Sequence, residues 1–336
     1  MDPLSHAVFG RALTAAIDNR LPQSRGTRTA AILGALSPDI DLVFVPFGWD
    51  IYLRVHSIGT HSLIGSVVMG IATAATVRLF VRAARFRAFA AAALIGALSH
   101  LGLDIACGAP LQLLWPMSER KFPLPLIAMA DPWLVGLFIA GAVALAIARG
   151  PRKQVYARAL LATVVVFLAA KGILLRSALA AARASAETTA VTARVVEASW
   201  GSWTDWYVFD RTPTELKQWR ATALDGPATL LLSMPLARES TRVAASRRLD
   251  TVANFLHVHE LGFATEKTED SGREIVLWSD LRFCRPEAPA PSPESRAPSP
   301  GIACQLWFGG VFGPDGKAIR QEVRVGGWVQ DRATTR

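Results

Sequence analysis

Hydrophobic positions are unevenly spread along the chain. They crowd residues 1–180, whereas 190–336 alternates apolar and polar positions as ordinary soluble sequence does. Four runs, 62–81, 89–107, 132–148 and 155–175, each approach the ~20 residues needed to cross ~30 Å of hydrocarbon. Residues 29–47 make a fifth candidate, interrupted by Pro38, Asp39 and Asp41, and 4–17 a shorter one that reads as a partial or re-entrant helix. The start lacks a basic stretch and carries Asp2 and His6 early, so it does not read as a cleavable signal peptide. In the second half, REIVLWSDLRF, CQLWFGGVFG and IRQEVRVGGWV read as strands, and 214–220 and 246–260 as helices. The predicted fold is mainly α: a multi-helix membrane domain over 1–180, then a smaller α+β soluble domain over 181–336. Within the latter, the Pro/Ser-rich stretch 286–300 is expected to be a disordered loop.

Composition agrees, with 51% hydrophobic residues and only 19% charged. Basic residues add a topology. Arg20, Arg25 and Arg28 form one cluster, Arg78, Arg82, Arg85 and Arg87 a second, and Arg149, Arg152, Lys153 and Arg158 a third. The intervening loops hold only Arg54, Arg120 and Lys121, so the basic loops are expected to be cytoplasmic. Six segments then place the soluble domain outside, in a multi-pass protein of the bacterial inner membrane. The net charge of +9 follows this pattern, and no nucleic-acid partner is expected. Outside the cytoplasm, Cys284 and Cys304 could form a disulfide, with Cys107 a buried small residue. Trp200, Trp203 and Trp206 are expected to pack a strand-rich core.

The same topology gathers potential ligands on the outer side. His6 opens the first segment; Asp39 and Asp41 end the second; His56 and His61 precede the third; His100 and Asp104 lie near the end of the fourth. His100 and Asp104 are four apart and share a helix face. Asp39 and Asp41, two apart, need an irregular break, which Pro38 favours. Three carboxylates in a half-buried pocket would repel one another, and divalent cations would remove that cost. Four histidines and three aspartates suit zinc, with manganese and iron as alternatives, as one ion or as a pair bridged by an aspartate. Singly, each residue has a plainer reading: a buried hydrogen-bonded histidine, a capping Asp39, or a proton path through His100 and Asp104. The convergence of all seven on one side outweighs these. His257 and His259 in HVHE have no further ligands near them in sequence.

The stretches MDPLSHAVFG, GALSPDIDL, HSIGTHSL and SHLGLD, in that order over residues 1–106, resemble the bacterial membrane-bound metal-dependent hydrolases, the YdjM/YfhP-like proteins once grouped as a domain of unknown function. DLRF at 280–283 is similar to the second half of the longer, YfhP-like members. More remotely, the order of His, Asp, His and HxxxD resembles zinc-dependent phospholipase C and the P1-type nucleases, with no HxxxE element for a third zinc. The resemblance implies hydrolysis of a phosphate ester or phosphodiester, with Asp39 or Asp41 orienting the water or acting as base and Arg54 holding the phosphate. The position favours a lipid-like or phosphorylated amphiphile as substrate and membrane lipids as surroundings. Residues 108–131, with Trp115, Pro116, Met117 and Phe122, read as an interfacial entry loop or as a plain connector. Two other classes compete: a receptor or scaffold with a structural metal, and an ion or metal transporter, against which the few segments and missing repeat argue. A zinc protease of the H-E-x-x-H kind is not indicated, since no such motif occurs. The pattern says nothing of oligomeric state.

Overall fold

The computed structural model describes the chain except for residues 18–20, 22–23, 57, 82–84, 186–190, 225, 237–238, 270, 287–301, 327 and 334–336. The expected loop 286–300 therefore lies outside the described residues from 287 on.

Seven helices and two 3₁₀ segments fill the first half: α1 (Pro3–Ala16), α2 (Arg25–Leu36), a 3₁₀ segment (Ser37–Phe47), α3 (Trp49–His56), a 3₁₀ turn (Gly59–His61), α4 (Leu63–Phe80), α5 (Phe86–Ala106), α6 (Pro132–Ile147) and α7 (Arg152–Ser185). Their starts are set by capping side chains. Asp2 accepts from the Ser5 amide, Ser24 from Thr27, Ser62 from Gly65, and Asp131 from Trp133 and Leu134. Among the described residues, four apolar stretches are long enough to span a bilayer: Arg25–Phe47, Leu63–Phe80, Phe86–Ala106 and Arg152–Ser185. With 14 and 16 residues, α1 and α6 are shorter than the six-segment expectation requires. By contrast α7, with 34 residues, is about 50 Å long and overruns the expected 155–175.

Close helix approach is encoded by small residues. A Cβ on Gly34 would lie 2.3 Å from the Ala93 carbonyl oxygen, and one on Gly96 would lie 2.3 Å from that of Ala31. The backbones of α2 and α5 therefore touch, with Ala30, Ala31, Ala92 and Ala93 buried in the seam.

The α3 helix lies in the Arg54-bearing connection between the second and third apolar segments, where a loop is expected. Eight residues do not make a stable helix alone. This one is held from outside, where Trp49 and Leu53 pack against a core of the second half that contains Val252, Phe255, Trp278 and Phe308.

The second half contains β1 (Ala193–Ala198), β2 (Asp205–Arg211), β3 (Glu215–Thr222), β4 (Thr229–Pro235), α8 (Thr241–Ser246), α9 (Asp250–Val258), β5 (Gly262–Thr268), β6 (Glu274–Asp280), β7 (Cys284–Pro286), β8 (Ile302–Cys304), β9 (Leu306–Phe312), β10 (Ala318–Val325) and β11 (Trp328–Ala333). They form antiparallel sheets in the orders β1-β2-β3-β4 and β11-β10-β9-β6-β5, with a β7-β8 ribbon. The three expected strands are present, the third split into β10 and β11. Residues 214–220, expected to be helical, form β3 instead. Glu, Leu, Lys and Gln favour a helix, but pairing with both β2 and β4 and burial of Leu216 and Ala221 override that preference.

The tryptophans divide. Only Trp206 is buried in the core; Trp200 and Trp203 stay exposed. They meet the start of α6 instead: Trp200 Nε1 donates to the Ala130 carbonyl, Trp133 Nε1 to that of Gly201, and the Trp203 ring meets Trp133 and Phe167. An aromatic group at helix ends is what a membrane–water boundary selects. Lys171, buried within α7, donates to the Ser202 and Trp203 carbonyls and lies over the Trp206 ring. Trp206, Val208 and Ala221 thereby share one core with Phe138, Val164 and Leu175.

His259 belongs to a buried network rather than a metal site. Its Nδ1 accepts from Arg282 Nη2 (2.7 Å) and lies 3.4 Å from Asp280 Oδ2. Burial pushes the His259 imidazole below its ordinary value. Burial also works against the Asp280 carboxylate, but the Arg282 guanidinium and His259 outweigh it and hold that carboxyl well below the usual range.

Cys284 and Cys304 are joined in a disulfide, 20 residues apart in sequence, between β7 and β8. Closing a loop of that length is worth about 3 kcal/mol through the unfolded chain. Reduction, or Cys284→Ser/Cys304→Ser, is expected to lower unfolding free energy by about that amount in denaturant titration; an unchanged midpoint would contradict it.

Candidate metal centre

The seven residues singled out in sequence come from five separate segments and meet in one place. Pro38 ends α2, but Ser37 keeps helical dihedrals and the chain tightens into a 3₁₀ segment rather than leaving the helix. Eleven residues is long for that conformation, and such stretches often mark functional sites. It buries Asp41, leaves Asp39 20% exposed, and turns Ile40, Val43, Phe44 and Phe47 outward. Gly59, at φ +56°, makes the left-handed turn that brings His61 in behind His56. His100 and Asp104 lie one turn apart on α5, and His6 comes from α1 with its ring stacked on His100, 3.7 Å between centroids.

Four acceptor atoms face one another at the centre. His100 Nε2 lies 3.0 Å from Asp104 Oδ2, 3.2 Å from His61 Nε2 and 3.5 Å from Asp39 Oδ1. His61 Nε2 lies 3.5 Å from Asp39 Oδ1 and 3.7 Å from Asp104 Oδ2. The other side of each ring decides what these nitrogens carry. His100 Nδ1 lies 2.7 Å from the Ala35 carbonyl, which can only accept, so Nδ1 holds a proton and, in the neutral ring, Nε2 presents its lone pair. His61 Nδ1 faces Asp41 Oδ2 at 3.2 Å, with the same consequence. With both rings neutral, two imidazole lone pairs and two carboxylates within such distances repel, a repulsion that a bound divalent cation or protons on the imidazoles would relieve. This orientation of a ring by an outer carbonyl or carboxylate is the arrangement around protein-bound metals.

Unsatisfied atoms point the same way. His6 Nδ1 and Asp41 Oδ1 are buried without a hydrogen-bond partner among the described residues; each such atom costs about 1–3 kcal/mol. The Met1 amino nitrogen lies 2.5 Å from Asp104 Oδ1, and His6 Nε2 lies 3.3 Å from the same oxygen. Three overlapping sets have ligand atoms within 4.8 Å of one another: His6, Asp39 and His100; Asp39, His56 and His61; His61, His100 and Asp104. The donors present thus fit a divalent cation, with Asp39 common to two sets.

Asp41 and Arg54 take places not anticipated. Asp41 is in none of the three sets; its Oδ2 accepts from His56 Nδ1 (3.0 Å) and Thr60 Oγ1 (3.3 Å) and backs His61. Arg54, expected to hold a substrate phosphate, donates to Asn254 Oδ1 of α9 (2.7 Å). The sequence reading missed the Ala35 carbonyl, Thr60 and Tyr52, whose ring lies 4.9 Å from His56 one turn away on α3. Burial, aided by the Asp41 and Asp39 charges, pushes the Tyr52 hydroxyl up and keeps it protonated. Only the i,i+4 spacing of Tyr52 and His56 hinted at this. Residues 108–131 form no helix; the stretch exposes Leu114 and Met117 and docks elsewhere, with Leu126 bonded to Ala106 and the Pro125 carbonyl accepting from Trp206.

Because Asp41 acts through His61, Asp41→Asn is expected to weaken divalent-metal affinity about 10–100-fold with the fold intact. Competition with a chromogenic chelator measures this; an unchanged affinity would mean that Asp41 does not orient His61.

Apolar helices long enough to span a bilayer, closed over a buried group of histidines and aspartates able to hold a metal ion, define a helical membrane protein with a candidate metal centre at one end of its bundle. The chain belongs to the YdjM inner membrane protein family, whose family model matches residues 1–178. No curated protein and no solved structure matches it, the zinc phospholipases and P1-type nucleases included.

Proposed function

We propose that this chain is a metal-dependent hydrolase of the inner membrane that cleaves a phosphate ester or phosphodiester of an amphiphilic, lipid-like substrate. The observation that carries this reading is the convergence of His61 Nε2 and His100 Nε2 with Asp39 and Asp104, a mixed nitrogen and oxygen set of the kind that holds a divalent cation. His6, His61, His100, Asp39 and Asp104 would hold it, with His56 at the margin. Zinc suits this mixed nitrogen and oxygen set, and manganese or iron are the alternatives. When bound, the cation would supply Lewis acidity toward a phosphoryl oxygen and a lowered pKa for a water.

The chain's own residues divide the remaining work. Asp39 and His56, 20% and 29% exposed, form the mouth, while His6, His61, His100 and Asp104 are buried. Asp39 is thus the carboxylate placed to take a proton from a water entering from solvent. Asp41 and the Ala35 carbonyl hold His61 and His100 in orientation. The apolar side chains of Ile40, Val43 and Phe44 stand outward beside the mouth, a surface suited to an acyl or prenyl chain. The described basic residues Arg25, Arg28, Arg78, Arg87 and Arg152 lie at the opposite helix ends, and the disulfide belongs in an oxidising compartment. Both support an extracytoplasmic mouth and C-terminal domain. Exposure of Asp39 and His56 favours an open catalytic site over a closed structural one.

The detergent-purified protein is expected to contain a divalent metal and to hydrolyse lipid phosphates or phosphodiesters. Chelation should abolish turnover, and zinc or manganese should restore it. Metal retained with no ester hydrolysed would favour a scaffold; ion flux in liposomes without hydrolysis would favour a transporter.

A further inference from the structure

We propose that the cleft at the opposite, basic end of the helical bundle binds the headgroup of an anionic phospholipid. This cleft, about 530 Å³, opens between α1, α2, α6 and α7. Four cationic side chains line it: Arg11 from α1, Arg25 and Arg28 from α2, and Lys153 from α7. No aspartate or glutamate occurs among its described lining residues. Its remaining wall is apolar, with Val8, Ile32 and Leu145.

Helical periodicity explains the juxtaposition. Arg25, Arg28 and Ile32 fall on one face of α2, and Val8 and Arg11 on one face of α1. Each element therefore presents a cation toward its end and an apolar side chain deeper in the bundle. The further wall is α6, whose neighbouring side chains Val143 and Ile147 are exposed as lipid-facing residues are. The argument rests on Arg25 and Arg28. Neither forms an ion pair among the described residues; Arg28 Nε donates to the Ser24 carbonyl at 3.4 Å. Like charges gathered beside apolar wall at a bilayer edge call for a bound anion. A small free anion would use only the cations. A diacyl phosphate lipid uses the cations through its headgroup and the Val8, Ile32 and Leu145 wall through its chain, so the lipid is the occupant that matches the whole cleft. This site shares no residue with the His/Asp cluster and stands whether or not that cluster is catalytic.

The test is lipid binding to the full chain in neutral detergent, read by native mass spectrometry and thermal shift. Phosphatidylglycerol is expected to bind and stabilise; phosphatidylcholine and inorganic phosphate are not. Arg25→Gln/Arg28→Gln should weaken phosphatidylglycerol binding roughly 30-fold. Lys267→Gln/Lys317→Gln, which removes equal charge from exposed strand and loop positions, should leave it unchanged. Raising salt should weaken binding to the unmodified protein, a readout that holds even where the double variant does not fold. Equal binding of phosphatidylcholine, salt-independent binding, or full affinity in the folded Arg25/Arg28 variant would overturn the proposal. Stabilisation by inorganic phosphate alone would overturn the lipid assignment in favour of a free-anion site.

Discussion

His100→Ala/Asp104→Ala is expected to abolish divalent-metal binding and reduce hydrolysis to background. Losing a residue that merely orients a ligand costs about 10–100-fold in metal affinity; this pair contributes two of the facing acceptor atoms itself, 3.0 Å apart. Their removal also frees the Ala35 carbonyl, which loses its only side-chain donor among the described residues. An orphaned buried carbonyl costs about 1–3 kcal/mol, so some loss of stability should accompany the loss of metal. Asp104→Asn separates the two effects, because it keeps shape and removes charge. Metal content by atomic spectroscopy, with unfolding followed in parallel, decides the matter. Full metal occupancy in a folded double variant would end the claim that these residues form the site.

The second large effect is expected far from the cluster, at Arg332 on β11. Its guanidinium reaches back to the start of α3, with Nη2 2.8 Å from Asp50 Oδ1 and Nη1 donating to Asp50 Oδ2 at 3.1 Å. It also donates to the Phe47 carbonyl. Asp50 is fully buried and receives one further hydrogen bond, from Asn254 Nδ2 at 2.9 Å. Gly48 makes room for this clamp: at φ +140°, a Cβ there would fall 1.0 Å from Arg332 Nη2. Truncating one partner of a buried ion pair strands the other and costs about 3–5 kcal/mol. Arg332→Ala is expected near the lower end, because the Asn254 bond survives. Since α3 carries His56, metal affinity should fall as well. Asp50→Leu/Arg332→Leu should recover much of the stability, as replacing both charges removes the stranded one. A loss under about 1 kcal/mol in Arg332→Ala would show that the clamp does not hold α3.

Together the two predictions test a division of labour. One end of the bundle carries the cluster, and the C-terminal sheets fix the elements around it. Lys171 under Trp206 and Arg332 on Asp50 are the clearest polar ties between the halves.

The sequence by itself determined whatever depends on local pattern. Apolar runs of bilayer length gave the helical first half, alternation gave β6, β9 and β10, and the spacing of His100 and Asp104 placed both on one helix face. Even the meeting of His6, Asp39, His61 and Asp104 was legible, because alternate basic loops assign each of them to one side of the bundle. Other features belonged to tertiary structure alone. The α3 helix is too short to form unaided and depends on the α9 core and Arg332. Residues 215–222 prefer a helix in isolation but are pulled into β3 by partners on both sides. Trp200 and Trp203 left the expected core for the helix ends. By sequence Asp41 is a candidate ligand and Arg54 a candidate phosphate holder, yet one stands behind His61 and the other bonds Asn254. The proton positions on His61 and His100 depend on Asp41 and on the carbonyl of Ala35, 65 residues distant in the chain from His100. Local propensity acts over a turn or a pleat. Ligand orientation is decided by whatever backbone and charge the fold sets against the far side of each ring.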